Sequence, residues 1–390
     1  MLQLNQITNL FRQEIVQVDS LNFKLHYQAT AAIFLFASLI VCKGQFFGEP
    51  IHCTDIPGVS NQVVDSYCWV HQTFLVPSKS TDQAGIDFAH PGVAPDVFQG
   101  NTVDIKRQRA GGRPGVRPDS VDIKRQQVGY YQWVGIVLFL QALCFVAPKL
   151  IWRTIENNRM LVLIQHNLKS PVPPSGDRNI EVTRLAQYWA SSRGTHGFFA
   201  VGYLACEALN LVNVVGQMFL IDRFLGNSFM SYGIDIIEQS MKTPEERVDV
   251  LSEVFPKVAK CTFRKYGYSG QIDTLDTMCI LPINVVNEKV YIVIWFWLVC
   301  LASMTTLYMM YLLAIILGEN FRIQIISSKL SRPRPSKECV VAAVYQGEHN
   351  WIERLGDWLF LNMLFSNLDQ WTNSQILKRL NENQSSFSQC

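Results

Sequence analysis

The sequence predicts an all-α polytopic membrane protein with four transmembrane helices, two disulfide-braced extracellular loops and helical cytoplasmic regions. Three observations carry this expectation. Of 390 residues, 48% are hydrophobic and only 17% charged, with a mean hydropathy of +0.10, a balance soluble globular chains rarely show. Four stretches are apolar over about 20 residues, the length that crosses a hydrocarbon core. Four cysteines fall two by two in the loops after the first and third stretches, whereas the loop after the second has none.

The chain opens with a polar, Gln-rich segment, which is not a secretory signal. Within 1–24, Leu4, Ile7, Phe11, Ile15 and Val18 recur at helical spacing, with Gln6, Asn9, Gln13 and Gln17 on the opposite side. The first span is placed at 25–47. Residues 25–42 carry no Asp, Glu, Lys or Arg, and Gln45, Phe46 and Phe47 extend the run through the far interface. The second, 130–152, opens on Tyr130, Tyr131, Gln132 and Trp133, aromatic-rich as the headgroup level favours, and stays uncharged until Lys149. Pro148 is expected to kink or end it.

The third span, 197–221, holds Glu207 at its middle. Glu207, Asn210, Asn213 and Gln217 lie within about 120° of one another on a helix. A polar intramembrane stripe must face protein or water; hydrogen bonding to neighbouring helices is the preferred reading, and lining an aqueous path the sharper alternative. The fourth span, 290–318, is free of Asp, Glu, Lys and Arg throughout.

Between the spans lie an outer loop at 48–129, an inner loop at 153–196, a second outer loop at 222–289 and a C-terminal region at 319–390. The first outer loop contains VDIKRQ at 103–108 and again at 121–126, a duplicated basic insert spanning 103–126. Two copies do not make a solenoid, and the Gly and Pro between them resist packing. In the C-terminal region Arg332, Pro333, Arg334 and Pro335 read as a linker before an amphipathic helical region at 351–380, a cytoplasmic tail domain rather than a catalytic module. Counting Lys and Arg does not orient the chain. The cysteines do: disulfides persist outside the cell, so both termini and the inner loop are placed in the cytoplasm, and Cys339 and Cys390 are expected as reduced thiols.

Composition and motifs also exclude. Lys and Arg number 34 against 32 Asp and Glu, so nucleic acid is no expected partner. No CxxC pair, HExxH or close His pair occurs, and no metal, cofactor or catalytic group is expected. A tetraspanin-like scaffold would carry a Cys-Cys-Gly element in its large loop, and none is present.

Local motifs choose among the remaining four-span classes. QFFGEPIHC stands at 45–53, YCW at 67–69, YYQWV at 130–134, CEALNLVNVVGQ at 206–217, FPKVAKCTFRKYGYSG at 255–270 and LPINVVNEKVYIVIWFW at 281–297. Together they resemble the innexins, the gap-junction proteins of invertebrates, over roughly residues 20–320. The departures are the duplicated insert and Glu49, where family members often have Asp. The resemblance implies a plasma-membrane subunit of intercellular channels that pass ions and small metabolites. Its partners would be like or mixed innexin subunits, an octamer being compatible with it, the docking hemichannel of the next cell, and the lipid bilayer. A pannexin-like hemichannel that does not dock is the alternative; bulky glycans would favour it, and neither outer loop has an N-x-S/T sequon.

The family's paired cysteines match Cys53 and Cys68 in the first outer loop and Cys261 and Cys279 in the second. Four cysteines allow three connectivities, among which sequence does not choose. Distance from the spans favours Cys53 with Cys279 and Cys68 with Cys261, the pairing the resemblance also implies. In channels of this kind the N-terminal segment folds into the cytoplasmic mouth, so Gln6, Asn9, Gln13 and Gln17 would line the pore, an uncharged lining that selects weakly between ions. The alternative is an amphipathic helix on the inner leaflet.

Overall fold

The computed structural model describes residues 16–71, 73–76, 93, 126–164, 177–241, 254–332, 335–345 and 350–382. Its elements in chain order are α1 (Leu21–Phe46), β1 (His52–Cys53), α2 (Asn61–His71), β2 (Thr73–Leu75), β3 (Gln126–Val128), α3 (Val134–Glu156), α4 (Arg159–Ile164), α5 (Asp177–Ser192), α6 (Gly197–Phe224), α7 (Phe229–Met241), β4 (Val258–Tyr266), β5 (Ile272–Ile280), α8 (Pro282–Leu317), α9 (Glu319–Ser328), α10 (Lys337–Tyr345), α11 (Trp351–Asn367) and α12 (Gln370–Glu382). The helices long and apolar enough to cross a membrane are α1, α3, α6 and α8. The chain divides into two units, one of Met1–Ile33, Ala142–Gly216 and Val299–Cys390, the other of Phe34–Gln141 and Gln217–Leu298.

The helix expected over 1–24 is broken ahead of its last turn, Leu21–Lys24, which belongs to α1. Residues 16–20 are irregular, because Ser20 is an N-cap: its backbone is extended (φ −66°, ψ 160°) and its Oγ accepts the Phe23 N–H at 3.0 Å. A new helix therefore starts at Leu21. Gln6, Asn9 and Gln13, with Leu4, Ile7, Phe11 and Ile15, lie outside the described residues, as does nearly all of the duplicated insert. Within α1 the turn Leu25–Thr30 is π-helical, an insertion that rotates the side chains after it and recurs at functional sites. Pro148, expected to kink or end the second span, does not end it; α3 continues to Glu156. What stops α3 is Asn157 and Asn158, both left-handed at φ 50° and 57°, a conformation that Asn tolerates. The Glu156 carboxylate then accepts the N–H groups of Asn158 and Met160 and starts α4.

In the unit containing residues 217–298, the outer-loop residues form a five-stranded antiparallel sheet in the order β1-β5-β4-β2-β3, an addition to the helical plan. Along β4, Ala259, Cys261 and Phe263 are buried in alternation, the period-2 pattern of a strand with one covered face. Gly270 (φ +79°) closes the β4–β5 turn, where its N–H donates to the Gly267 carbonyl at 3.0 Å. Close approach also explains Gly233 on α7, since a Cβ there would meet the Trp295 ring at 2.1 Å.

In the other unit, α4, α5 and α9 to α12 contribute to one apolar core with Val16, Phe23, Tyr27, Trp152 and Phe199. His196 stacks on Trp189 and packs on Phe360. Asp357 accepts from the Gly194 N–H and bonds His196 Nδ1, each at 2.8 Å. Gly356 lets α11 approach: a Cβ there would meet the His196 carbonyl oxygen at 2.2 Å.

Candidate functional site

Two arrangements gather the residues that the sequence singles out. The first is the disulfide-bridged sheet. Cys53 and Cys279 stand directly opposite in the β1–β5 register and are bonded. Cys68 on α2 is bonded to Cys261 on β4. Each bond joins the two outer loops, across 226 and 193 residues respectively. The Sγ atoms of Cys53, Cys68 and Cys279 lie within 4.8 Å of one another; their sulfurs are committed to disulfides, so the cluster offers no thiolate to a metal. Asp65 on α2 accepts the Cys53 N–H at 2.7 Å, fixing helix to strand beside the bridges.

The 130–133 motif sits against the same sheet. Tyr130 donates its hydroxyl to the Val254 carbonyl at 2.8 Å. Tyr131 is fully buried, its ring 5.0 Å from that of Trp69, and its carbonyl accepts from Gln45 Nε2. Gln132 donates to the Trp69 carbonyl, while Trp133 is exposed. Three separate motifs, around Gln45, Trp69 and Tyr130, thus interlock at the ends of the first two spans.

The second arrangement is a buried polar cluster at the start of α1. Glu207 is fully buried. Its Oε1 accepts from Ser20 Oγ at 2.7 Å and Tyr203 Oη at 2.9 Å, and its Oε2 from Asn22 Nδ2 at 3.1 Å. Asn22 Oδ1 accepts from Thr305 Oγ1, which is bonded in turn to His26 Nε2 at 2.8 Å. Beside it Asp19 Oδ2 accepts from Lys149 Nζ at 2.5 Å and Tyr27 Oη at 2.9 Å, with all three side chains buried. A buried charge is costly unless paired and hydrogen-bonded, and here each partner is fixed by a different segment. Of the remaining stripe, Asn210 and Gln217 are buried, and Asn213 Nδ2 donates to the Cys144 carbonyl at 3.3 Å.

The described start of the chain is also held by the C-terminal helices. Val16 is buried in their core. The Gln17 N–H donates to Asn367 Oδ1 at 2.6 Å, and Asn367 Nδ2 donates to the Gln17 carbonyl at 2.8 Å. Near the end of α11, Lys329 donates to the Asn362 carbonyl, Asn362 Oδ1 and Ser366 Oγ. Burial lowers the Lys329 ammonium to about 8.

Sequence reasoning marked Glu207 but missed its partners Ser20, Asn22 and Tyr203, and with them Asp19, His26, Thr305 and Asn367, which hold Lys149, Asn22 and Gln17. Lys149 carried a signal, being a lone cation at the end of an apolar run.

The innexin family model matches residues 19–384. Innexin inx2 of Schistocerca americana is 36% identical over 363 residues, 93% of this chain and 92% of the relative. Innexin inx2 of Drosophila melanogaster is 34% identical over 97% of this chain and 95% of its own length, and innexin shaking-B of the same organism 31% identical over 93% and 89%.

Proposed function

Because this chain belongs to the innexin family, whose members form gap-junction channels in invertebrates, and is itself such a channel subunit rather than an enzyme, we propose how its parts serve that role. Residues 48–129 and 222–289 face the extracellular space, both termini are cytoplasmic, and an oligomer of eight like or mixed subunits docks with that of the adjacent cell. Ions and small metabolites pass between the two cells.

The observation that carries this reading is the single sheet that strands from both outer loops build together. In the order β1-β5-β4-β2-β3 the adjacent strands β5 and β4 come from one loop and β1, β2 and β3, on either side of them, from the other, and two disulfides tie them. A surface that must meet its counterpart on another cell needs a preorganised rim, since ordering loops at the moment of contact costs affinity. In the other unit, the Glu207 and Asp19 clusters fix residues 19–22, so the segment before them leaves from an anchored start. Its amide-bearing residues Gln6, Asn9 and Gln13 line the cytoplasmic mouth, while the Glu207 stripe serves packing.

Expression of this chain alone in paired cells tests the reading. Dye and current are expected to pass between the cells. Dye uptake into single cells without passage between partners would refute docking and favour a non-junctional hemichannel.

A further inference from the structure

The side chains of α7 fall into three sectors. At 100° per residue, Met230, Ile234, Ile237 and Met241 share a stripe about 60° wide. Ile234 is 60% exposed, Ile237 41% and Met241 81%. On one flank of this stripe Phe229, Tyr232 and Gly233 are buried against Tyr291, Phe255 and Trp295. On the other flank Glu238, Ser231, Asp235 and Gln239 form a continuous polar sector. An ordinary surface helix has two sectors, one apolar and covered, one polar and wet. Here a third, apolar and uncovered, lies between them.

The position of α7 along the chain fixes its depth. The apolar helix α6 ends at Phe224, and α7 begins at Phe229. Gly226 (φ +80°) and Asn227 (φ +65°) turn the chain sharply, and the Asp222 carboxylate at the end of α6 accepts the N–H groups of both Phe229 and Met230, at 2.9 and 3.0 Å. The start of α7 is therefore pinned to the point where the span leaves the bilayer. One turn earlier α6 itself presents Phe219 and Leu220, 58% and 59% exposed, so uncovered apolar side chains stand on both helices near this turn.

We infer that α7 lies along the membrane boundary and that its stripe of Met230, Ile234, Ile237 and Met241 is seated in the outer edge of the lipid layer, with Asp235 and Glu238 turned to water. The inference rests on the reading of α6 as a span. Three sectors match the three surroundings of such a helix: its own protein, lipid and water. An interfacial helix buries its apolar side at the headgroup boundary. Four apolar side chains there resist tilting of the loop that α7 begins.

The test uses the full chain, with a fluorescent amino acid incorporated at position 237, 231 or 219, in vesicles of phosphatidylcholine brominated on its acyl chains. An interfacial apolar face sits about 5–10 Å below the headgroups, so emission from position 237 is expected to fall about twofold and that from position 219 at least as much, while position 231 is unaffected. If position 219 is quenched and position 237 behaves like position 231, the inference is overturned and the span stands. If neither is quenched, the span itself is wrong. If position 237 is shielded from both the brominated lipid and aqueous iodide, the stripe is covered by a neighbouring subunit, which also overturns the lipid assignment.

Discussion

Removing the two disulfides separately and together tests whether they act as one nested brace. A disulfide limits the unfolded chain, and in the chain-entropy model its effect grows with the loop closed. Alone, either bond closes a loop of 226 or 193 residues, which corresponds to about 5 kcal/mol. With one bond in place, the other closes only the circuit of roughly 33 residues that runs from Cys53 to Cys68 and from Cys261 to Cys279, or about 4 kcal/mol. Replacing Cys53 and Cys279 by Ala, or Cys68 and Cys261 by Ala, should therefore cost about 4 kcal/mol each, and replacing all four about 9. The excess over additivity, about 1–2 kcal/mol, is the signature of nesting. Thermal inactivation of the purified oligomer, followed by size-exclusion chromatography, ranks the variants, and dye transfer between paired cells reads the consequence. Two pair variants of very different stability, or a four-fold variant no worse than a pair variant, would refute the reasoning. Cys53→Ala alone should behave differently again. It leaves the Cys279 thiol within 4.8 Å of Cys68 Sγ, where thiolate attack on the Cys68–Cys261 bond can form Cys68–Cys279 and release Cys261; non-reducing peptide mapping would show the exchanged link.

Four further outcomes follow from particular contacts. Lys149→Met or Asp19→Asn alone should destabilise by about 3–5 kcal/mol, because each strands a buried partner, and the double variant by less; equal or additive losses in thermal melts would argue against a buried pair. Glu207→Gln keeps a carbonyl for Ser20 and Tyr203 but turns an amide N–H₂ toward the Asn22 donor, so stability should fall by about 1–3 kcal/mol, whereas a change in cation preference at unchanged stability would place Glu207 on the permeation path. Gly233→Ala drives a methyl into the Trp295 ring, an overpacking cost of about 1–3 kcal/mol; relief by Trp295→Leu in the same background is the check. Lys329 titrates at about 8 in the folded chain against 10.5 unfolded, so between those values the unfolded state binds more protons and stability should rise with pH. Lys329→Met should flatten that rise, and an unchanged slope would show that another group is responsible.

The four spans were legible because crossing a bilayer demands a length and an apolar composition that a single segment must satisfy by itself. Glu207 was legible as a problem for the same reason, as an acid inside such a segment needs partners. Who those partners are was not. Ser20 and Asn22 lie 187 and 185 residues away, and nothing in their own neighbourhood marks them as donors to a carboxylate. The strand pattern of β4 was present as alternation at Ala259, Cys261 and Phe263, yet its place between β5 and β2 depends on pairing with the other loop. Asn367 could not be linked to Gln17 by any local pattern, because a side-chain amide that bonds a distant backbone leaves no periodic trace. The sequence by itself determined what each segment needs: apolar length for a span, a sulfur partner for each outer-loop cysteine, a donor for Glu207. Only the tertiary structure decided which groups answer those needs. Hydrogen bonds and disulfides form across a few ångströms of space, and distance along the chain carries no information about which atoms will be that close.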